Sequence, residues 1–228
     1  MRAHKRIAIY LFLIQFYFTG CKKFVQIDPP QTQLVTASVF NNSASATSAQ
    51  TAIYSEMVEN SESAQISLNL GLLSDELTNY FTDPGHVQYY TNAMQAASSP
   101  GPWVDAYNYI YQANAIISAM KDNSSLSPAI VQQLSGEAKF VRAFWFFYLT
   151  NLYGDIPLVT STLYTINATI SRTAKSKVYQ QIVSDLKDAQ TLLSANYIYG
   201  NDATITSSDR TRPNKWTAAA LLDRKSVV

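Results

Sequence analysis

Residues 79–92, NYFTDPGHVQYYTN, interleave aromatic rings with amides, a carboxylate and an imidazole. The rings of Tyr80, Phe81, Tyr89 and Tyr90 follow no helical burial period, and Asn79, Asp83 and Asn92 place hydrogen-bonding groups beside them. Sugars present C–H faces that lie on flat rings, and hydroxyls that need amide or carboxylate partners. The stretch reads in one of two ways: as a platform for a saccharide, or as an aromatic loop packing on its own domain.

Other chemistries are poorly served. Of the two histidines, His4 lies in a leader segment, which leaves His86, and Cys21 is the single cysteine. No His/Cys metal cluster and no Cys/His nucleophile pair can be assembled from these. Asp75 and Glu76 are adjacent, which on a helix turns them about 100° apart instead of toward one substrate. No Gly-rich phosphate loop is present. These residues make catalysis an unfavoured reading and call for no cofactor or metal. Charged residues make up only 14% of the chain, against about 25% in an average domain. The net charge is +1 with no basic stripe, so nucleic acid is not an expected partner. A surface of Ser, Thr, Asn, Gln and Tyr suits neutral polar ligands.

The N-terminus has the three parts of a secretory signal: Arg2, Lys5 and Arg6, then the apolar run IAIYLFLIQFYF at 7–18, then Thr19 and Gly20. That run is too short to span about 30 Å of hydrocarbon as a helix. Cys21, directly after Gly20, resembles the acceptor cysteine of a bacterial lipoprotein, although Phe18 stands where such signals usually carry Leu. The alternative is a soluble secreted protein with an idle thiol. Lipidation at Cys21 would attach several acyl chains at one point, as stable anchoring requires. Residues 1–20 are thus expected to be a signal peptide and 21–40, with Pro29 and Pro30, an extended tether.

Helical periodicity governs most of 41–228. Ala46, Ala49, Ile53 and Met57 predict a helix over 41–59, and SLNLGLLSDELTNY a shorter one over 67–80. Residues 81–102 lack a period and carry Pro84, Gly85, Pro100, Gly101 and Pro102, which predicts a long loop. Trp103, Tyr107, Ile110, Tyr111, Asn114 and Ile117 mark a helix over 102–121. Ser127-Pro128 is a cap followed by proline at the first helical position, and Gly154 with Pro157 stops the helix after Tyr153. Further helices are expected over 175–194 and from Pro213, and extended chain only near 156–159. Within helix 129–153, residues 143–149 are AFWFFYL, and a helix apolar all round is a buried one. Glu137 and Arg142 on it, five apart, share no face and are expected to reach a rim or a neighbouring helix. Trp103 and Trp145 are expected in the core, and Asp155 as a turn former. The fold class is all-α, built from helix pairs (102–121 with 129–153, then 175–195 with 213 onward). The pairs start about 70 residues apart, too far for a plain 34-residue tetratricopeptide array but suited to such pairs with long loop insertions.

The stretch GEAKFVRAFWFFYLTNLYGDIPLV at 136–159 resembles the signature helix and turn of the SusD/RagB family of outer-membrane lipoproteins. Glu137, Ala138, Arg142, Ala143, the aromatics 144–148, then Tyr153, Gly154, Asp155, Pro157 and Leu158 carry the likeness. CKKFVQIDPP after the leader, AIYSEM at 52–57, WVDAYNYIYQANAII at 103–117, VYQQIVSDLKDAQTLL at 178–193 and RPNKWTAAALL at 212–222 agree in order. The resemblance implies a surface-exposed, lipid-anchored glycan- or nutrient-binding protein of the outer membrane. Such a protein passes its ligand to a SusC-like, TonB-dependent transporter. Family members run to around twice this length, so the resemblance implies an incomplete SusD-like α fold truncated at its C-terminus, with Trp216, Leu221 and Leu222 uncovered on the last helix. The alternative function is a tetratricopeptide-like scaffold that docks a protein and binds no glycan.

Overall fold

The computed structural model describes residues 36–95 and 101–226, all within the compact unit Thr36–Val228. Cys21, the leader and most of the expected tether fall outside the described residues. The end of that tether is corrected: Thr36–Val39 form a helical turn (α1), and Phe40 is buried in the core.

Helix α2 (Ser43–Glu59) begins where the Asn42 side chain accepts from the Ala44 and Ser45 amides. That bond satisfies donors which the first turn would otherwise leave unpaired. Helix α3 (Glu62–Leu73) starts and ends earlier than expected. Its end is set by Gly71, whose carbonyl accepts from both Glu76 and Leu77 while the Leu77 side chain folds over the glycine. A Cβ at Gly71 would lie 2.7 Å from the Leu77 side chain, so a larger residue there would displace the leucine from the turn. The expected loop over 81–102 is also corrected, because it contains a helix, α4 (Pro84–Tyr90), capped by Asp83 with Pro84 in its first turn.

Helices α5 (Trp103–Met120) and α6 (Pro128–Tyr153) form the first predicted pair. Ser127 caps α6, and Gly154, at φ +73°, ends it. A two-residue ribbon follows, β1 (Ile156–Pro157) antiparallel to β2 (Arg172–Thr173), with the helical turn α7 (Tyr164–Asn167) between its strands. Asp155 does more than form a turn. Its carboxylate accepts from the Lys175 amide at the start of α8 (Lys175–Leu192). A second ribbon, β3 (Tyr197–Ile198) with β4 (Thr206–Ser207), was not legible in the sequence. It leads to α9 (Lys215–Ser226), which packs on α8 as the second predicted pair.

Helix α6 is the hub, packing on α5 along one side and on α8 along another. Trp145, Phe146 and Leu149 are fully buried with Ile53, Tyr109, Ile110, Ile182 and Leu186, and Trp145 stacks on Tyr109 at 5.1 Å between ring centroids. The hub is not buried all round, however, since Phe140, Phe144 and Tyr148, spaced four apart, remain half-buried along one stripe. Trp103 departs from its expected core place in the same way and is half-buried.

Two buried ion pairs fix the hub against its neighbours. The Arg142 guanidinium donates to both carboxylate oxygens of Asp185 on α8, at 2.8 and 2.6 Å, and to the Asn114 carbonyl on α5 at 2.7 Å. Glu137 is paired with Arg212 at 2.7 Å and also accepts from Gln133 and from the Tyr54 hydroxyl. Each charge keeps its hydrogen bonds after leaving water, the condition on which burial of charge is tolerable. Leu221 and Leu222 are half-buried against the main core, whereas Trp216 is exposed.

Candidate functional site

The chain leaving α3 places the first two candidate rings outward. The Asn79 side chain accepts from the Phe81 amide at 2.9 Å and donates to the Phe81 carbonyl at 3.2 Å, a local turn that holds the backbone here. Tyr80 is 89% exposed and Phe81 is 52% exposed. Phe81 stacks on the His86 ring with centroids 4.4 Å apart. That ring is held in turn by Asp83, whose carboxylate accepts from the His86 amide at 3.0 Å and meets Nδ1 at 2.5 Å. These bonds keep the Asp83 carboxyl below its ordinary range, with the backbone bond from His86 contributing most. Tyr90 is exposed along α4, and Asn92 is exposed just past its end at φ +53°.

Tyr89 behaves differently, being 7% exposed. Its hydroxyl and that of Tyr153 flank Gly101, where an added Cβ would lie 2.9 and 2.6 Å from them and where φ is +116°. Only glycine fits so close an approach at that backbone angle. Tyr153 meets Trp103 edge-on at 4.9 Å, Trp103 packs on Tyr107 at 5.0 Å, and the Arg172 guanidinium sits 5.6 Å over the Trp103 ring. The Tyr107 hydroxyl donates to the Pro157 carbonyl. Burial pushes the Tyr153 hydroxyl up to about 12 and raises Tyr107 further still. Tyr89 thereby fastens α4 to the start of α5 and the end of α6.

The seven candidates thus separate by role. Tyr80, Phe81 and Tyr90 present rings to solvent, Tyr89 anchors the segment, and Asn79 and Asp83 shape its backbone, with Asn92 exposed at the end. Asp83 retains an exposed carboxylate beside the Phe81–His86 stack. The arrangement can hold a flat apolar face against the rings and direct a hydroxyl to an acceptor beside them.

Sequence reasoning missed a groove of about 590 Å³ between α2, α3 and α6. Phe140, Phe144 and Tyr148 line it together with Glu62 and Arg210. Glu62 is 5% exposed and accepts from the Tyr109 hydroxyl at 3.3 Å. Burial first, then the charge of Asp105, raises its carboxyl above the ordinary value. The four-residue spacing of 140, 144 and 148 was the available signal.

A mostly helical scaffold of paired helices, carrying an inserted strip of exposed rings, is the class that this fold and surface define. Residues 23–225 match the profile of a SusD-like family described as "Starch-binding associating with outer membrane". The chain belongs to that family. A SusD-like protein of Formosa agariphila is 28% identical over 235 residues, which cover 97% of this chain and 42% of that protein. A SusD-like protein of Bacteroides ovatus is 25% identical over 142 residues, 61% of this chain and 24% of the relative. Among solved structures, a laminarin-binding SusD-like protein superposes with a TM-score of 0.68 at 22% identity, over 80% of this chain and 39% of that one. A SusD-like protein of Bacteroides fragilis gives 0.64 at 21% identity, over 83% and 35%. These likenesses carry the fold. The chain spans less than half the length of the relatives it matches.

Proposed function

We propose that this protein binds neutral oligosaccharides on the ring strip of residues 79–92, and that it binds them without turning them over. The observation that carries the reading is the exposure of Tyr80, Phe81 and Tyr90 on a segment pinned from below by Tyr89. The family description and the laminarin-binding relative point to the same ligand class. Anchored through lipid on Cys21, after removal of residues 1–20, the protein sits at the outer membrane and passes its ligand to a SusC-like, TonB-dependent transporter. The test is titration of the intact protein with laminarin and starch oligosaccharides. Tyr80→Ala lowers affinity with Tm unchanged if the strip is the platform, and leaves affinity intact if it is not.

A further inference from the structure

Two of the polar side chains among the exposed rings are engaged in the segment's own structure. Both ends of the Asn79 amide bond the backbone of Phe81. Each oxygen of the Asp83 carboxylate meets His86, one at its backbone amide and the other at Nδ1. His86 differs from them. Its side chain is 23% exposed, and its ring lies against Phe81 with centroids 4.4 Å apart and planes 25° from parallel. Its Nε2 makes no hydrogen bond among the described residues and is not sealed from solvent.

Asp83 decides what that nitrogen can do. An ionised carboxylate only accepts hydrogen bonds, and a neutral imidazole carries its single proton on one nitrogen or the other. The bonds from His86 hold the Asp83 carboxyl below its ordinary range, the backbone bond first, so the group is ionised at neutral pH. With that carboxylate 2.5 Å away, the proton belongs on Nδ1, and Nε2 keeps its lone pair. The His86 amide, donating at 3.0 Å, holds the carboxylate in place. A ring nitrogen of fixed tautomer, beside an exposed ring and lacking a protein partner, is an acceptor for a hydroxyl brought by a ligand.

We propose that Nε2 of His86 accepts a hydroxyl of the saccharide on the ring strip, with Asp83 as the positioning residue that sets its tautomer. The inference rests on the reading of residues 79–92 as a glycan platform and supplies the residue that reads a hydroxyl there. The test is NMR of the intact ¹⁵N-labelled protein, following both the backbone amides and the imidazole nitrogens. Spectra are taken at about pH 8.5, alkaline of the range in which histidines ordinarily change charge. Laminarin and starch trisaccharides are raised to about 10 mM, at which a site of about 1 mM affinity is mostly filled. In the free protein Nδ1 is expected to carry the proton and Nε2 to be bare. Sugar is expected to move the Nε2 signal more than that of Nδ1, together with the amides of Tyr80, Phe81 and Tyr90. His86→Phe keeps a flat ring for Phe81 but removes the nitrogen, and should weaken binding about three- to tenfold. A proton on Nε2 in the free protein would overturn the assignment. Shifted strip amides with Nε2 unmoved, or full affinity in His86→Phe, would overturn the role of His86 and leave the strip standing. Silence at both Nε2 and the strip amides would overturn the two together.

Discussion

Replacing Asp185 by Ala tests the packing logic of the hub. Asp185 and Arg142 have side chains only 2% and 7% exposed, and the carboxylate takes both forks of the guanidinium. The substitution leaves a buried guanidinium with Asn114 as its remaining partner, a loss of about 3–5 kcal/mol for breaking one half of such a pair. For a domain of this size each kcal/mol moves Tm by about 2–4 °C, so the expected fall is about 6–20 °C. Urea unfolding followed by circular dichroism reads the same quantity, with the midpoint lowered and the slope retained. The double substitution Arg142→Met with Asp185→Leu removes both charges and should recover most of the loss, since apolar replacement of a whole buried pair is often neutral. A single Asp185→Ala variant destabilised by less than about 1 kcal/mol would refute the reasoning. It would mean that water reaches the guanidinium and the pair holds nothing.

Phe146→Ala should cost about 3–5 kcal/mol in the same unfolding assay, because Phe146 is fully buried at the centre of α6. Phe144→Ala should cost less, its ring being half-buried along the groove. Tyr109 and Tyr153 are both pushed up to about 12, chiefly by burial. Unfolded tyrosines ionise near pH 10, so the unfolded state sheds protons first; stability holds below pH 10 and falls between about pH 10 and 12. Denaturation midpoints across that range, with the tyrosinate absorbance recorded alongside, check the sign. Cys21→Ser should release the protein from the outer-membrane fraction or leave its leader uncleaved, and fractionation identical to the parent would exclude a lipid anchor there.

The helical frame was legible because its cues are local. Ser127-Pro128 and Gly154 bound α6, and stripes of apolar residues at helical spacing placed α2, α5 and α8. The same cue was present at Asp83-Pro84 and marks the start of α4, but the following seven residues are too few to show a period. Tyr89 points inward for the same reason: one turn of helix sends it to Gly101 and Tyr153 while Tyr90 faces out. The partners of Glu137 and Arg142 lie 75 and 43 residues away, so no sequence window could join them. The two β ribbons have strands of two residues each, below any alternation signal.

The exposed rings of residues 79–92 are proposed as a glycan platform held by the buried Tyr89. The most direct measurement of this is affinity and Tm, side by side, for Tyr80→Ala, Phe81→Ala, Tyr90→Ala and Tyr89→Ala in the intact protein with laminarin and starch oligosaccharides. The three exposed-ring variants are expected to lose affinity at constant Tm, while Tyr89→Ala loses affinity and stability together. Full retention of glycan affinity in all three exposed-ring variants would contradict it.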